Sequence, residues 1–179
     1  MPLLISPRAD QILIVSWLLA GLFWLGGCAT PSSLRDPHAT VRQRILNAAE
    51  RLIGTPYIPG GESPDGVDCS GLVQYAYQQA GIRTPRSAMA QFQAGQRQDR
   101  VLPGDLLFFR TDASGQISHV GIYAGQGQMI HTSSGSRQVR KVSLNQRYWR
   151  QRMVGGVTFL GRENPAASRR QWLADGPDG

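Results

Sequence analysis

Cysteine is scarce in this sequence and lysine is almost missing. There are two cysteines, Cys28 and Cys69, and a single lysine, Lys141, among 19 basic residues. So few cysteines exclude a small disulfide-stapled scaffold. Charged residues make up only 17% of the 179 residues and apolar ones 41%, which excludes a disordered composition and is enough for one domain with a real core. The longest apolar run, "ILIVSWLLAGLFWLGG" at 12–27, falls short of the ~20 residues that cross a bilayer comfortably. Acidic residues are also few, so the net charge is +7. The arginines are scattered (Arg42, Arg83, Arg110, Arg137, Arg152) and lie in no DNA- or RNA-reading motif, so nucleic acid is not the expected partner. A basic surface facing an anionic polymer or a membrane is what the charge implies.

What is there begins at the N-terminus. Arg8 is the one positive charge ahead of the apolar run, partly offset by Asp10, and the run ends in small residues, as a signal peptide does. "LGGC" at 25–28 resembles the lipobox of bacterial lipoproteins, in which the cysteine is lipidated and becomes the mature N-terminus. The competing reading is a membrane anchor with an incidental cysteine. By the resemblance, 1–27 is a lipoprotein signal peptide, Cys28 the lipidation site, and 28–40 the lipidated N-terminus and a Pro/Ser/Thr-containing tether. Ala29 follows the cysteine where an inner-membrane retention signal carries aspartate. The expected location is therefore the outer membrane of a Gram-negative cell, facing the periplasm and held through lipid. Cys69 would then be a lone thiol in an oxidising compartment, without an intramolecular disulfide partner. Such a thiol is either buried and inert or has a task.

The domain is expected over 41–160. "VRQRILNAAERLIG" (41–54) sets Val41, Ile45, Ala48, Ala49 and Leu52 at helical spacing. A second helix runs from about Cys69 to Ala80 with Gly81 after it, and Ser87 caps a short third one at 88–94. After Gly95 the period becomes strand-like: 105–110, 118–125, 128–133, 136–144 and 153–160, with turn signals between several of them. Helices first and antiparallel strands after give an α+β fold, with N-terminal helices on one side of a sheet of about five strands. Residues 161–179 have little to bury and are expected to form a flexible tail.

A helix N-terminus favours a thiolate, because its peptide dipoles and unpaired N–H groups stabilise negative charge, and Cys69 sits at one. His119 and His131, twelve residues apart across a tight turn, fall on neighbouring strands. This arrangement allows a nucleophile at Cys69, a base at His119 and an orienting partner at His131. It equally allows a small buried cysteine with backbone-satisfied histidines, or a zinc site made of one cysteine and two histidines.

The wording of the motifs adds to this. "GTPYIPGG", "GVDCSGLVQ", "PRSAMAQF", "PGDLLFF", "SHVGIY" and "MIHTSS", in this order across 41–160, resemble the NlpC-type family of cell-wall cysteine peptidases. The resemblance implies a trimmed papain-like domain that hydrolyses amide bonds in peptidoglycan stems and needs neither metal nor organic cofactor. It implies Cys69 as nucleophile, His119 as general base and His131 as the third polar residue. Tyr57 matches a tyrosine near the oxyanion site. Asp68 and Ser70 match substrate-pocket positions, with helix capping as their alternative role, and Arg86 is a candidate partner for a stem carboxylate. The expected bond is the D-alanyl–diaminopimelate cross-link or the γ-D-glutamyl–diaminopimelate bond within a stem, the first favoured. The competing function is a catalytically silent peptidoglycan-binding lipoprotein on the same fold.

Overall fold

The computed structural model describes residues 36–161. The expected signal peptide, the lipidation site at Cys28, most of the tether and nearly all of the C-terminal tail lie outside the described residues. In chain order the elements are α1 (Ala39–Arg51), β1 (Glu62–Ser63), β2 (Gly66–Val67), α2 (Cys69–Gln79), α3 (Ala88–Ala94), β3 (Gln96–Gln98), β4 (Leu106–Phe109), β5 (His119–Gly125), β6 (Gln128–His131), β7 (Arg140–Ser143), α4 (Arg147–Arg152) and β8 (Met153–Thr158). The fold is α+β, as the order of periodicities implies.

The main sheet has six strands in the order β3-β8-β4-β5-β6-β7, all antiparallel, where about five were expected. The additional strand is β3 at the edge. Its three residues, Gln96, Arg97 and Gln98, are all polar, so no alternation marks it in the sequence. A separate two-stranded hairpin, β1–β2, lies in the Pro/Gly-rich loop before α2.

The four residues of β4, "LLFF", are all buried, because both faces of the sheet are covered. Leu106 and Phe108, with Val120, Ile122 and Ile130, face α1 and α2 in one core, which also takes in Ile45, Ala48, Leu72, Val73 and Tyr77. Leu107 and Phe109 face the other way. With Met129 and Leu144 they form a second, smaller core closed by Trp149 of α4. The first three helices therefore share one side of the sheet, as expected, and α4 occupies the opposite one.

The side-chain caps read from the sequence are made. Asp68 accepts from the Gly71 N–H at 2.7 Å at the start of α2, and Ser87 accepts from the Ala90 N–H at 3.2 Å at the start of α3. Helix α1 begins at Ala39, inside the span expected to be tether. There Arg42 turns inward, contacting Asp36 at 2.6 Å and the fully buried Asp105 at 2.8 Å. Tyr77, also fully buried, donates to the Gly104 carbonyl at 2.6 Å. These polar contacts fix the helices to the turn that feeds β4, and a buried charge without its partner would be strongly destabilising.

The strand ends define the place where chemistry is possible. Phe109 ends β4 and pairs with His119, which opens β5; it also pairs with Met153, which opens β8. His131 ends β6 opposite Arg140, which opens β7. One end of the sheet thus gathers both imidazoles.

Candidate active site

The glycines around Cys69 allow close packing. A side chain at Gly71 would collide with the Gly61 carbonyl, and one at Gly61 with the Gly66 carbonyl. Only hydrogen fits at these contacts, so the "PGG" loop, the β1–β2 hairpin and the first turn of α2 press together. Cys69 is the first residue of α2. It is a free, half-buried cysteine that leans on the main core without being enclosed by it. Its sulfur lies beside the backbone N–H of Val120, the residue after His119. This brings the start of α2 to the strand end that carries the imidazoles.

Burial pushes the Cys69 thiol above its ordinary value, and the Asp68 carboxylate adds to the effect; the N–H groups of Val120, Ser70 and Cys69 itself pull the other way. Burial wins. The position at a helix N-terminus suggested a resting thiolate, and here it gives a protonated thiol surrounded by donors that favour the anion once it forms.

His119 and His131 are both almost fully buried, and His119 Nε2 lies 3.1 Å from His131 Nδ1. Burial, with the neighbouring imidazole, lowers the pKa of His119 to about 3. Burial, with the Arg140 charge, lowers that of His131 to about 4. Both rings are neutral at pH 7. Gly121 makes room for the second ring, since a Cβ there would meet the Met129 sulfur at 2.9 Å and the His131 Cβ at 3.3 Å. Among the described residues, no three His, Cys, Asp or Glu side chains converge in a way that would hold a metal ion.

Trp149 covers the pair. Its ring stacks on His119 with centroids 5.6 Å apart and meets His131 edge-on at 4.8 Å. Sequence reasoning missed this residue. It lies in "RYWRQR", between two expected strands, in a helix too short to show a period. The available signal was a tryptophan flanked by bases, with Tyr148 and Arg152 one helical turn apart.

Tyr57 is half-buried, and its hydroxyl is close enough to Cys69 and Asp68 for their negative charges, after burial, to raise its pKa. Among the described residues that hydroxyl has no hydrogen-bond partner. Its loop is fixed by the Tyr57 N–H donating to the Arg137 carbonyl at 2.9 Å and by a bridge to Val67. Tyr57 is thus a free donor beside the thiol.

Asp68, Ser70 and Arg86 are brought together, with their polar groups engaged with one another. Arg86 grips Asp68 with both terminal nitrogens, at 3.0 and 2.6 Å, and donates to Ser70 Oγ at 2.9 Å. Ser70 Oγ donates to Asp68 at 3.1 Å, and the Gly60 N–H donates to the other carboxylate oxygen at 3.1 Å. The hydrogen bonds from Arg86, Gly71 and Ser70 hold the Asp68 carboxyl below its usual range despite partial burial. The cluster fixes the backbone on which Cys69 sits. The Arg86 fork that was a candidate for a stem carboxylate is occupied by Asp68.

A half-buried thiol, a neutral buried imidazole pair and a free phenol beside them can perform acyl transfer. Comparison with known proteins bears on this arrangement. Residues 54–158 match the NlpC/P60 family. The chain is 39% identical over 171 residues to the Gamma-DL-glutamyl hydrolase of Bacillus subtilis, covering 91% of this chain and 41% of that protein. It is 37% identical over 137 residues to the murein DD-endopeptidase MepH of Escherichia coli, covering 71% of this chain and 51% of that one. It thus spans about half or less of the length of either relative. The crystal structure of an NlpC/P60 family protein from Bacillus cereus superposes with a TM-score of 0.62 at 34% identity, over 66% of this chain and 40% of that one. The matched span begins at the turn after α1 and runs to the end of β8, taking in every candidate catalytic residue, and the chain belongs to the NlpC/P60 family.

Proposed function

We propose that this protein is a cysteine-type peptidoglycan endopeptidase. The observation that carries the reading is the pairing of His119 Nε2 with His131 Nδ1, which leaves Nδ1 as the free nitrogen of His119, at the strand end where the Cys69 sulfur meets the Val120 N–H. His119 takes the thiol proton as the sulfur attacks the amide carbon. The resulting oxyanion is met by the Tyr57 hydroxyl and the Cys69 N–H. His119 then returns the proton to the departing nitrogen, and water attacks the thioester with His119 again as base. Asp68, Ser70 and Arg86 hold the substrate-facing wall next to the nucleophile.

Both candidate bonds release an amine of diaminopimelate. We put the D-alanyl–diaminopimelate cross-link first, in line with the name of the E. coli relative; the name of the B. subtilis relative supports the γ-D-glutamyl bond. Mass spectrometry of muropeptides from sacculi treated with the enzyme separates them. Loss of cross-linked dimers supports the first, and shortened stems support the second. Unchanged muropeptides, identical to those left by Cys69→Ala, would instead support a silent wall-binding protein. The same proposal anchors the protein to the outer membrane through a lipid on Cys28. Incorporation of labelled palmitate that is lost in Cys28→Ser tests that part separately.

A further inference from the structure

The direction of proton return fixes which part of a bound peptide lies where. His119 must reach the departing nitrogen, so the leaving amine sits on the imidazole side of Cys69. The acyl oxygen sits on the other side, near Tyr57. In the proposed mechanism the chain that carries the leaving amine continues on the imidazole side, at the sheet end where Phe109, Met153 and Arg140 lie beside the two histidines.

Three arginines stand there. Arg110 follows Phe109, the cross-strand neighbour of His119, and its N–H donates to the carbonyl of Arg152 at 2.9 Å. The Arg152 guanidinium lies 4.1 Å over the Tyr148 ring, which meets Trp149 edge-on at 4.8 Å. Arg140 is paired with His131, and its charge acts on that imidazole. Arg110 and Arg140 are exposed and Arg152 is half-buried. Among the described residues none of the three has a carboxylate within ion-pair distance, which holds for most of the arginines; what sets these three apart is their place at the strand ends beside the imidazoles. The sequence leaves little to neutralise them, because no Asp or Glu occurs between Asp112 and Glu163. The hairpin side of the site carries Glu62, Asp65 and Asp68, and its Arg86 is already paired with Asp68 and Glu62. Cations kept free of carboxylates beside a catalytic site are placed to meet an anion supplied by the ligand.

We propose that Arg110, Arg140 and Arg152 form a binding rim for carboxylates on the leaving-group side of the scissile amide. The rim deepens the hydrolase reading and rests on it. In either candidate bond the leaving residue is diaminopimelate: in the cross-link its free carboxylate sits on the carbon that bears the released amine, and in the γ-D-glutamyl bond it sits at the far end of the same residue. Arginine suits this contact because its planar fork matches a carboxylate in two parallel hydrogen bonds.

The test uses two synthetic stem-peptide dimers that both contain the two candidate bonds and differ only in whether the diaminopimelyl carboxylates are free or amidated. The intact protein should cleave the free form with kcat/KM about tenfold higher, the scale of one charge-assisted contact. The preference should shrink as salt is raised. Arg110→Gln/Arg140→Gln should bring the ratio of the two substrates close to one. Both side chains are exposed and lie off α4, so the double variant is chosen to keep the fold, which an unchanged thermal midpoint checks. Equal cleavage of the two dimers by the unmodified protein, or an unchanged ratio in the folded variant, would overturn the rim and leave the hydrolase reading standing. Failure to cleave either dimer would overturn both.

Discussion

His119 and His131 share one proton between Nε2 of the first and Nδ1 of the second, 3.1 Å apart. Only one of these nitrogens can donate. If His119 Nε2 holds the proton, its Nδ1 carries a lone pair and is ready to act as a base. If His131 Nδ1 holds it, the lone pair of His119 points at His131 and Nδ1 bears hydrogen, so it cannot accept from a thiol. In the proposed mechanism the role of His131 is thus to select a tautomer as well as to hold a ring. Both rings are neutral at pH 7, so the choice is between tautomers and not between charges.

The first prediction follows from that division. His119→Ala should lower kcat by roughly the 10²–10⁴ that a general base contributes, leaving hydrolysis close to background. His131→Ala should lose less. His131→Gln should recover part of the loss, because its amide oxygen can still accept from His119 Nε2–H. Iodoacetamide should abolish activity and EDTA should not. Equal loss in His131→Gln and His119→Ala, with both folded, would assign His131 to the proton transfer itself.

Tyr57→Phe removes a donor without removing the ring. The phenol has no partner among the described residues, so stability should change little. If the hydroxyl meets the oxyanion, kcat should fall by about 10²–10³ while KM barely moves. A rise in KM with kcat intact would make Tyr57 a ground-state binding residue instead.

Trp149 supplies no proton, nucleophile or oxyanion donor and acts through the imidazoles it packs on, so it is a positioning residue whose effect should appear in pH dependence. Its ring keeps water from His119 and His131. Trp149→Phe should admit solvent, let both imidazole pKa values rise toward 6.5, and move the acid limb of kcat/KM upward. Truncation to Ala would add a core cavity costing about 3–5 kcal/mol, so Phe is the informative change. An unchanged pH profile in folded Trp149→Phe would leave the tryptophan a packing residue only.

Much of this was legible in the chain, for identifiable reasons. Helix α1 declares itself because its buried positions recur at helical spacing, and α2 and α3 are marked by their caps, Asp68 and Ser87. Strands β4 to β6 do so because they are short apolar runs bounded by glycine. Edge strand β3 is polar throughout and helix α4 has six residues, so neither leaves a period to find. The proposed nucleophile, base and orienter are residue types that declare their chemistry, and the sheet register brings the two histidines to one end. Trp149 is not such a type. Its position over two imidazoles depends on a turn after β7 that only the tertiary packing specifies. The protonation state was also beyond the sequence, because the helix N-terminus argues for a thiolate and only burial shows that the thiol wins.

That last point is measurable. With the thiol pushed above its ordinary range and His119 held far below its own, no ion pair forms at rest. Alkylation of Cys69 by iodoacetamide should therefore rise only above the pH at which a free thiol of pKa about 8.5 reacts. Hydrolysis should already proceed near neutrality, since the base takes the proton during attack. An alkylation rate that is high and flat from pH 5 to 7 would show a preformed thiolate and refute this order of events.

The buried imidazoles also make the fold sensitive to acid, and the sign can be worked through. An unfolded histidine takes up a proton near pH 6.5, whereas native His131 and His119 resist until about 4 and 3. Between these limits the unfolded state binds more protons, so stability rises with pH and is lost as pH falls below 6.5. Each imidazole contributes at most about 1.4 kcal/mol per pH unit in that window. Two of them bring the loss between pH 6.5 and 4.5 to several kcal/mol, a large part of a typical domain's margin. Asp68, whose carboxyl is held below its usual range, acts in the same direction only at lower pH, as it protonates. Measurements kept above pH 4.5 therefore isolate the histidines from it. The urea midpoint should fall steadily from pH 7 to 4.5. The slope should be about half as steep in His131→Gln, which leaves one buried imidazole to titrate. A midpoint that stays level over this range would mean that native His119 and His131 accept protons as readily as exposed histidines do, and the neutral, water-excluded pair on which the mechanism rests would not exist.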